Sequence, residues 1–319
     1  MRFIYIFGLF LIVSSMQITG QVVSENGQLQ VDGLYLKNAQ GDTIVLRGMS
    51  LGWHNWWPQY YTPETVKWLK EDWKCSIVRA PMGVDPDSGY IKMKEWSVNT
   101  ISTVVDAAIE NDIYVIIDWH SHSLKTKQAV EFFSAMAKKY GSYPNVIYEI
   151  FNEPINNSWE EVKKYSIKVI EAIREHDPDN IILVGNPHWC QDIHLVADDP
   201  IEGYDNIMYT VHFYAATHKD FLRERSDYAL SKGIPVFVSE YGACHANGDD
   251  EIDYEEWQKW LDWMDANAIS WCKWSIVDKV ETSAALKPKT PTSGWTEDDL
   301  SESGKASRKL LRKYAGLKD

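Results

Sequence analysis

The sequence predicts a closed (β/α)8 barrel, preceded by a small N-terminal β-hairpin. Two observations carry this. Eight near-continuous apolar runs of strand type recur along the chain, as expected for strands buried on both faces. Segments of helical period lie between them, which is the alternation of a parallel α/β sheet closed on itself. The runs are Val45–Ser50, Ile77–Pro81, Ile113–Trp119, Val146–Asn152, Ile181–Gly185, Ile207–Phe213, Val236–Ser239 and Ile269–Ser275.

The elements follow in order. Leu29-Gln-Val31 and Leu34-Tyr-Leu36 alternate, and Asn38-Ala-Gln-Gly41 is turn chemistry, so residues 28–49 read as a hairpin leading into the first barrel strand. Helices are expected at Pro63–Trp73, Ser97–Asn111, Thr126–Tyr140, Trp159–His176, Lys219–Lys232, Tyr254–Asn267 and Leu300–Tyr314, with a weaker fifth one near Gln191–Ala197. Thr62-Pro63-Glu64 puts a cap residue before an N1 proline. Ser158 followed three residues on by Glu161 is a capping box. Val162, Tyr165, Val169 and Ile173 then recur at helical spacing.

The first twenty of the 319 residues do not read as fold. Arg2 precedes an apolar run from Phe3 to Val13, and small or polar residues follow to Gly20, which is the pattern of a secretory leader. The run is short for a membrane span. Residues 21–319 are expected to form one catalytic domain of a secreted, monomeric protein, free of the membrane once the leader is removed. A formal net charge of −14 argues against nucleic acid as a partner. Fifteen tryptophans exceed what a core of this size needs, and flat apolar rings stack on sugars. Cys75, Cys190, Cys244 and Cys272 form no CxxC pair and no zinc pattern, so buried thiols are expected.

In such barrels the working residues sit at the C-terminal ends of the strands. The fourth run ends in Asn152-Glu153-Pro154 and the seventh in Glu240-Tyr-Gly242. Proline cannot donate to a sheet ladder, so the strand stops there with a carboxylate at its lip. Two glutamates on one rim are the apparatus of glycoside hydrolysis, one as acid and one as nucleophile. Arg79 would keep Glu240 ionised, since an opposite charge lowers a carboxyl pKa. Tyr214 would orient the nucleophile, Asn152 suits a sugar hydroxyl, and His120 and His212 would orient or tune the acid. The tryptophans Trp56, Trp189 and Trp274 and the pair Lys279 and Glu281 complete the rim. A metal site on His120, His122 and His212 would leave both glutamates unexplained, so neither metal nor cofactor is expected.

At these residues the sequence resembles glycoside hydrolase family 5, and within it the secreted bacterial endo-β-1,4-glucanases. The motifs are Leu46-Arg-Gly-Met-Ser50, Val78-Arg-Ala80, Ile117-Asp-Trp-His120, Ile150-Phe-Asn-Glu-Pro154, Thr210-Val-His-Phe-Tyr214, Val238-Ser-Glu-Tyr-Gly242 and Trp274-Ser-Ile-Val-Asp-Lys279. The resemblance implies a retaining endo-β-1,4-glucanase with Glu153 as acid/base and Glu240 as nucleophile. Arg79, His120, Asn152, His212 and Tyr214 would support them. It implies Trp274 as the platform under the sugar at the scissile bond, Lys279 and Glu281 as hydroxyl contacts, and Trp56 and Trp189 as outer platforms. The implied substrate is a β-1,4-glucan, soluble or amorphous since no binding module follows the last helix. A mixed-linkage glucanase, a mannanase or a non-catalytic glucan-binding protein are the alternatives. Two positions depart from the family pattern: Gly52 stands where close relatives have His, and Gly83 where they often have Tyr. Whether His54 substitutes for the first is left open.

Overall fold

The computed structural model describes residues 22–317. The predicted leader, Met1 to Gly20, lies outside the described residues. A two-stranded antiparallel hairpin, β1 (Gln30–Asp32) and β2 (Tyr35–Lys37), precedes eight parallel strands. These are β3 (Arg47–Leu51), β4 (Ile77–Gly83), β5 (Tyr114–His120), β6 (Val146–Glu149), β7 (Ile182–Val184), β8 (Ile207–Tyr214), β9 (Val236–Gly242) and β10 (Trp271–Ile276). They pair in chain order, and β10 closes the barrel against β3.

A helix follows each barrel strand, at Pro63–Glu71, Lys94–Glu110, Thr126–Tyr140, Trp159–Arg174, Ile193–Asp198, Asp220–Ser231, Tyr254–Ala266 and Glu302–Tyr314. The caps read from sequence form. Thr62 accepts from the Thr65 N–H, and Ser158 and Glu161 make both arms of the capping box. Boundaries shift by a few residues. The β6 ladder ends at Glu149, not Asn152, yet the chain stays tied in place. Ile150 N–H donates to Leu183 O at 3.0 Å and Asn152 N–H to Trp119 O at 3.1 Å. All four cysteines are buried free thiols. No helix among the described residues is long and apolar enough to cross a membrane.

The apolar residues divide into two cores, and the division positions the site. The larger lies between the strands and the helices and takes Val78, Ile117, Tyr148, Val184, Val211 and Val238 from the barrel. The smaller fills the barrel floor with Ile77, Tyr114, Ile116, Ile147, Leu183, Met208, Phe237 and Cys272, joined by Leu29, Leu36, Ile44 and Leu46 from the N-terminal segment. The hairpin therefore seals the N-terminal end of the barrel. It is fastened there by Val31 N–H to Asn206 Oδ1 at 2.9 Å and by Tyr114 Oη–H to Gly27 O at 3.0 Å.

Side chains alternate along a strand, so the next inward positions are two residues on. There the interior turns polar: Ile77 gives way to Arg79, Ile116 to Asp118, Ile147 to Glu149, Met208 to Thr210 and His212, and Phe237 to Ser239. The floor is apolar and the upper half is polar and charged.

Candidate active site

Arg79 is the centre of the charged layer and is fully buried. Its Nε donates to Glu149 Oε2 at 2.7 Å, Nη1 to Glu240 Oε2 at 2.9 Å and Nη2 to Asn152 Oδ1 at 2.6 Å. Nη2 also lies 2.9 Å from Asp118 Oδ2. One guanidinium thus faces three buried carboxylates, and their charges raise its pKa against the effect of burial. Glu149 and Asp118 had no assigned role in the sequence, yet they hold Arg79 from below. Ser239 Oγ–H donates to Glu149 Oε1 at 2.7 Å.

Above this layer stand the two glutamates. A carboxylate oxygen of Glu153, one of Glu240 and a ring nitrogen of His212 all lie within 4.8 Å of one another. Tyr214 Oη–H donates to Glu240 Oε1 at 2.9 Å, the contact expected for it. His212 links the two levels: Nδ1 contacts Glu153 Oε1 at 2.9 Å and Nε2 contacts Ser239 Oγ at 2.9 Å. His122, 3.2 Å from Glu153 Oε2, is a partner of Glu153 that sequence reasoning did not assign. His120 instead contacts Asp118 Oδ2 at 2.6 Å and stacks parallel to Trp274, with ring centroids 5.5 Å apart. Asn152 Nδ2 is a buried donor left without a partner among the described residues.

The proton balance departs from one expectation. Burial opposes ionisation of Glu153, but hydrogen bonds and positive charge from His122 and His212 override it and hold the carboxyl at about 2. Burial raises Glu240, and the Glu153 charge adds to this. Arg79, His212 and Tyr214 pull the other way without prevailing. Arg79 makes the contact read from sequence, yet it does not by itself set the Glu240 titration. Burial and the neighbouring Glu153 charge together outweigh it. Burial also opposes charge on His212, but its contacts with Glu149 and Glu153 and the charge of Glu240 raise it well above 6.5.

A cleft of about 590 Å³ opens over these groups. Trp56, Trp189, Trp274, Lys279 and Glu281 all line it, together with Trp53, Trp57 and His218. Trp56 and Trp189 are exposed, whereas Trp274 lies almost flush with the floor. Lys279 and Glu281 pair with each other at the rim.

The two departures from the family pattern have a physical account. His54 is fully buried and outside the cleft; its Nδ1 accepts from Gly83 N–H at 3.0 Å and its Nε2 meets Ser97 Oγ at 2.8 Å. It does not substitute for a cleft imidazole. Trp53 occupies the region instead, 4.6 Å from Trp56 in a stack and 4.3 Å edge-on to His120. The loop fits because two residues lack a Cβ. One at Gly83 would lie 2.1 Å from Asn55 Oδ1, and one at Gly52 2.1 Å from Val277 Cγ1.

Comparison with known proteins agrees with this geometry. The family model for cellulase, glycosyl hydrolase family 5, matches residues 37–280. Endoglucanase A of Evansella cellulosilytica is 43% identical over 308 residues, 93% of this chain and 62% of its own length. Endoglucanase 5 of Pectobacterium carotovorum is 42% identical over 303 residues, 92% of this chain and 59% of its own length. The chain thus spans about three fifths of these two relatives. A solved structure from Cytophaga hutchinsonii superposes with a TM-score of 0.90 at 47% identity, covering 92% of this chain and 97% of that one. A variant of the Thermobifida fusca endoglucanase catalytic domain, solved in complex with cellotetraose, superposes with a TM-score of 0.86 at 32% identity, covering 91% and 99%. By this match of family model, fold and sequence, the chain belongs to the cellulase family, glycosyl hydrolase family 5.

Proposed function

We propose that this protein is a retaining endo-β-1,4-glucanase that cleaves internal bonds of a β-1,4-glucan, with Glu240 as nucleophile and Glu153 as acid/base. The observation that carries the reading is the approach of the two carboxylates to within 4.8 Å on one rim of an aromatic cleft. Double displacement works with carboxyl groups about 5–5.5 Å apart, whereas inversion needs about 6.5–9.5 Å to seat a water. The endoglucanase relatives and the cellotetraose complex supply the substrate class.

The steps follow from the contacts. A glucan chain lies along Trp56, Trp274 and Trp189, with its scissile bond over the glutamates. A carboxylate oxygen of Glu240 attacks the anomeric carbon while the bond to the leaving oxygen breaks. Glu153 delivers its proton to that oxygen, with His212 Nδ1 2.9 Å from its carboxyl. The product of this half is a glycosyl ester on Glu240 and a free sugar terminus. Esterification removes the Glu240 charge, so Glu153 becomes the local base. It takes a proton from water, whose oxygen attacks the anomeric carbon, and Glu240 leaves as the carboxylate. Arg79 and Tyr214 stabilise that carboxylate on arrival and departure. Asn152 Nδ2, without a partner among the described residues, offers its hydrogen bond to the sugar.

The reading also takes Met1 to Gly20 as an export leader and the mature chain as a monomer in the medium or periplasm. Mass spectrometry of the exported protein and its elution volume test both. Substrate class is tested by reducing-sugar release on carboxymethylcellulose, barley β-glucan and mannan, beside Glu153→Gln. Release confined to the glucans, and lost in the variant, is expected. Preference for mannan would move the substrate assignment, and a fully active Glu153→Gln would remove Glu153 from its role.

A further inference from the structure

Trp189 reaches the cleft on a turn of unusual backbone. Three consecutive residues other than glycine, His188, Trp189 and Cys190, hold φ of 53°, 54° and 59°. Left-handed φ in such residues normally occurs singly, and every other instance among the described residues is isolated. A strained run persists only where its surroundings over-determine it, so its fastenings are informative.

Two of them go to the same place. Trp189 N–H donates to Pro154 O at 3.1 Å, and the Cys190 thiol donates to Asn152 O at 3.0 Å. These carbonyls belong to the residues on either side of Glu153. The thiol is itself oriented, accepting from Thr210 Oγ1–H at 3.1 Å, and Asn186 Nδ2 donates to Thr210 O at 2.7 Å. On the far side, His188 Nδ1 contacts Asp192 Oδ2 at 2.6 Å, and Arg225 Nη1 donates to the other oxygen of Asp192 at 2.6 Å. Cys190 is fully buried, which pushes its thiol up to about 11 and keeps it a donor at neutral pH. The Trp189 ring, one residue earlier, is 42% exposed in the cleft.

We propose that the Pro187–Cys190 turn is a clamp on the acid/base, with Cys190 as a positioning residue that locks the backbone on both sides of Glu153 to the Trp189 platform. A sugar stacked on Trp189 then registers the leaving oxygen against the Glu153 carboxyl. This rests on the reading of Glu153 given above. The clamp acts through proton delivery alone, so its loss must fall on substrates whose leaving group needs the proton. Glycosides with a strongly acidic leaving group depart without it.

The test compares kcat/KM on cellotetraose and on 2,4-dinitrophenyl β-cellobioside for wild type, Cys190→Ala and Cys190→Ser. Cys190→Ala should lose about tenfold on cellotetraose and stay within about twofold on the aryl glycoside. Cys190→Ser keeps a donor of similar size and should recover most of the loss. Equal loss on both substrates, or none on cellotetraose, overturns the clamp while leaving the glucanase reading intact. Should Cys190→Ala fold poorly, Thr210→Val removes only the hydroxyl that orients the thiol and must show the same split to a smaller degree. Wild-type substrate ratios in a folded Thr210→Val overturn the clamp as well. A wild-type enzyme that leaves cellotetraose uncut sinks the glucanase reading, and the clamp with it.

Discussion

Replacing Arg79 by methionine should damage the barrel as well as the chemistry. The guanidinium meets Glu149 Oε2 at 2.7 Å, Glu240 Oε2 at 2.9 Å and Asp118 Oδ2 at 2.9 Å, and all four side chains are nearly or wholly inaccessible. Methionine fills most of the volume but leaves those carboxylates without their cation. Breaking a buried pair from one side costs about 3–5 kcal/mol. A second route gives a similar figure. Protonating an ordinary carboxyl, of reference pKa about 4, at pH 7 costs roughly 4 kcal/mol at 1.36 kcal/mol per unit. Against a typical total of about 5–15 kcal/mol, this lowers Tm by about 6–10 °C, taking roughly 2 °C per kcal/mol for a chain of this size. Calorimetry or thermal circular dichroism reads it. A double variant, Arg79→Met with Glu149→Gln, removes one carboxylate charge along with the cation. It should be more stable than the sum of the single losses by more than about 1 kcal/mol, because the residues touch. Arg79→Lys should rescue little, since an ammonium cannot fork to Glu149 and Glu240 together. An Arg79→Met protein with wild-type Tm, or strictly additive losses in the double variant, would refute the account of the charged layer.

Three further outcomes follow from the same geometry. Trp56→Ala should raise KM for long cello-oligosaccharides by about 5- to 10-fold, on the order of 1 kcal/mol, with kcat little changed, because an exposed platform binds ground and transition states alike; a fall in kcat at constant KM would contradict this. Trp274→Ala should lower kcat itself, since the ring lies beside the reacting centre against His120, and steady-state kinetics on cellotetraose separates the two cases. Burial lowers His54 from 6.5 to about 4, so between those values the unfolded chain binds the extra proton and stability rises with pH. Its contribution, up to about 3 kcal/mol, is complete above pH 6.5 and lost as the pH falls towards 4; Tm at pH 7 and pH 4.5 should therefore diverge more in wild type than in His54→Gln, and equal slopes would reject it.

How far the sequence carries can be seen residue by residue. Glu153 and Glu240 were legible because Pro154 and Gly242 follow closely on their apolar runs and mark a charge near each C-terminal lip. Glu149 was not, because it lies inside Val146-Ile-Tyr-Glu149, a run that reads as uniformly buried. The signal was there in a form that could have been used: a carboxylate in mid-strand and an arginine in mid-strand at Arg79 each demand a buried partner, and each is the other's. The lack of period-two alternation hid the two cores, since strands apolar on both faces show no pattern to distinguish the barrel floor from the outer shell. The hairpin was readable from its turn, but its role as the floor of the barrel depends on long-range packing of Leu29 and Leu36 against Ile77 and Ile147. Nothing in Asn186-Pro-His-Trp-Cys190 announces a left-handed turn, because no glycine marks it. His54 lies close in sequence to the tryptophan loop, yet it is drawn inward by Gly83 and Ser97.

The central claim is that two glutamates on one rim perform a double displacement, and the stereochemistry of the first product tests it most directly. Hydrolysis of a short cello-oligosaccharide, followed by NMR with wild type beside Glu240→Ala, should give the β-anomer first and no turnover in the variant. An initial α-anomer, or a Glu240→Ala protein that still turns over with retention, would contradict the account.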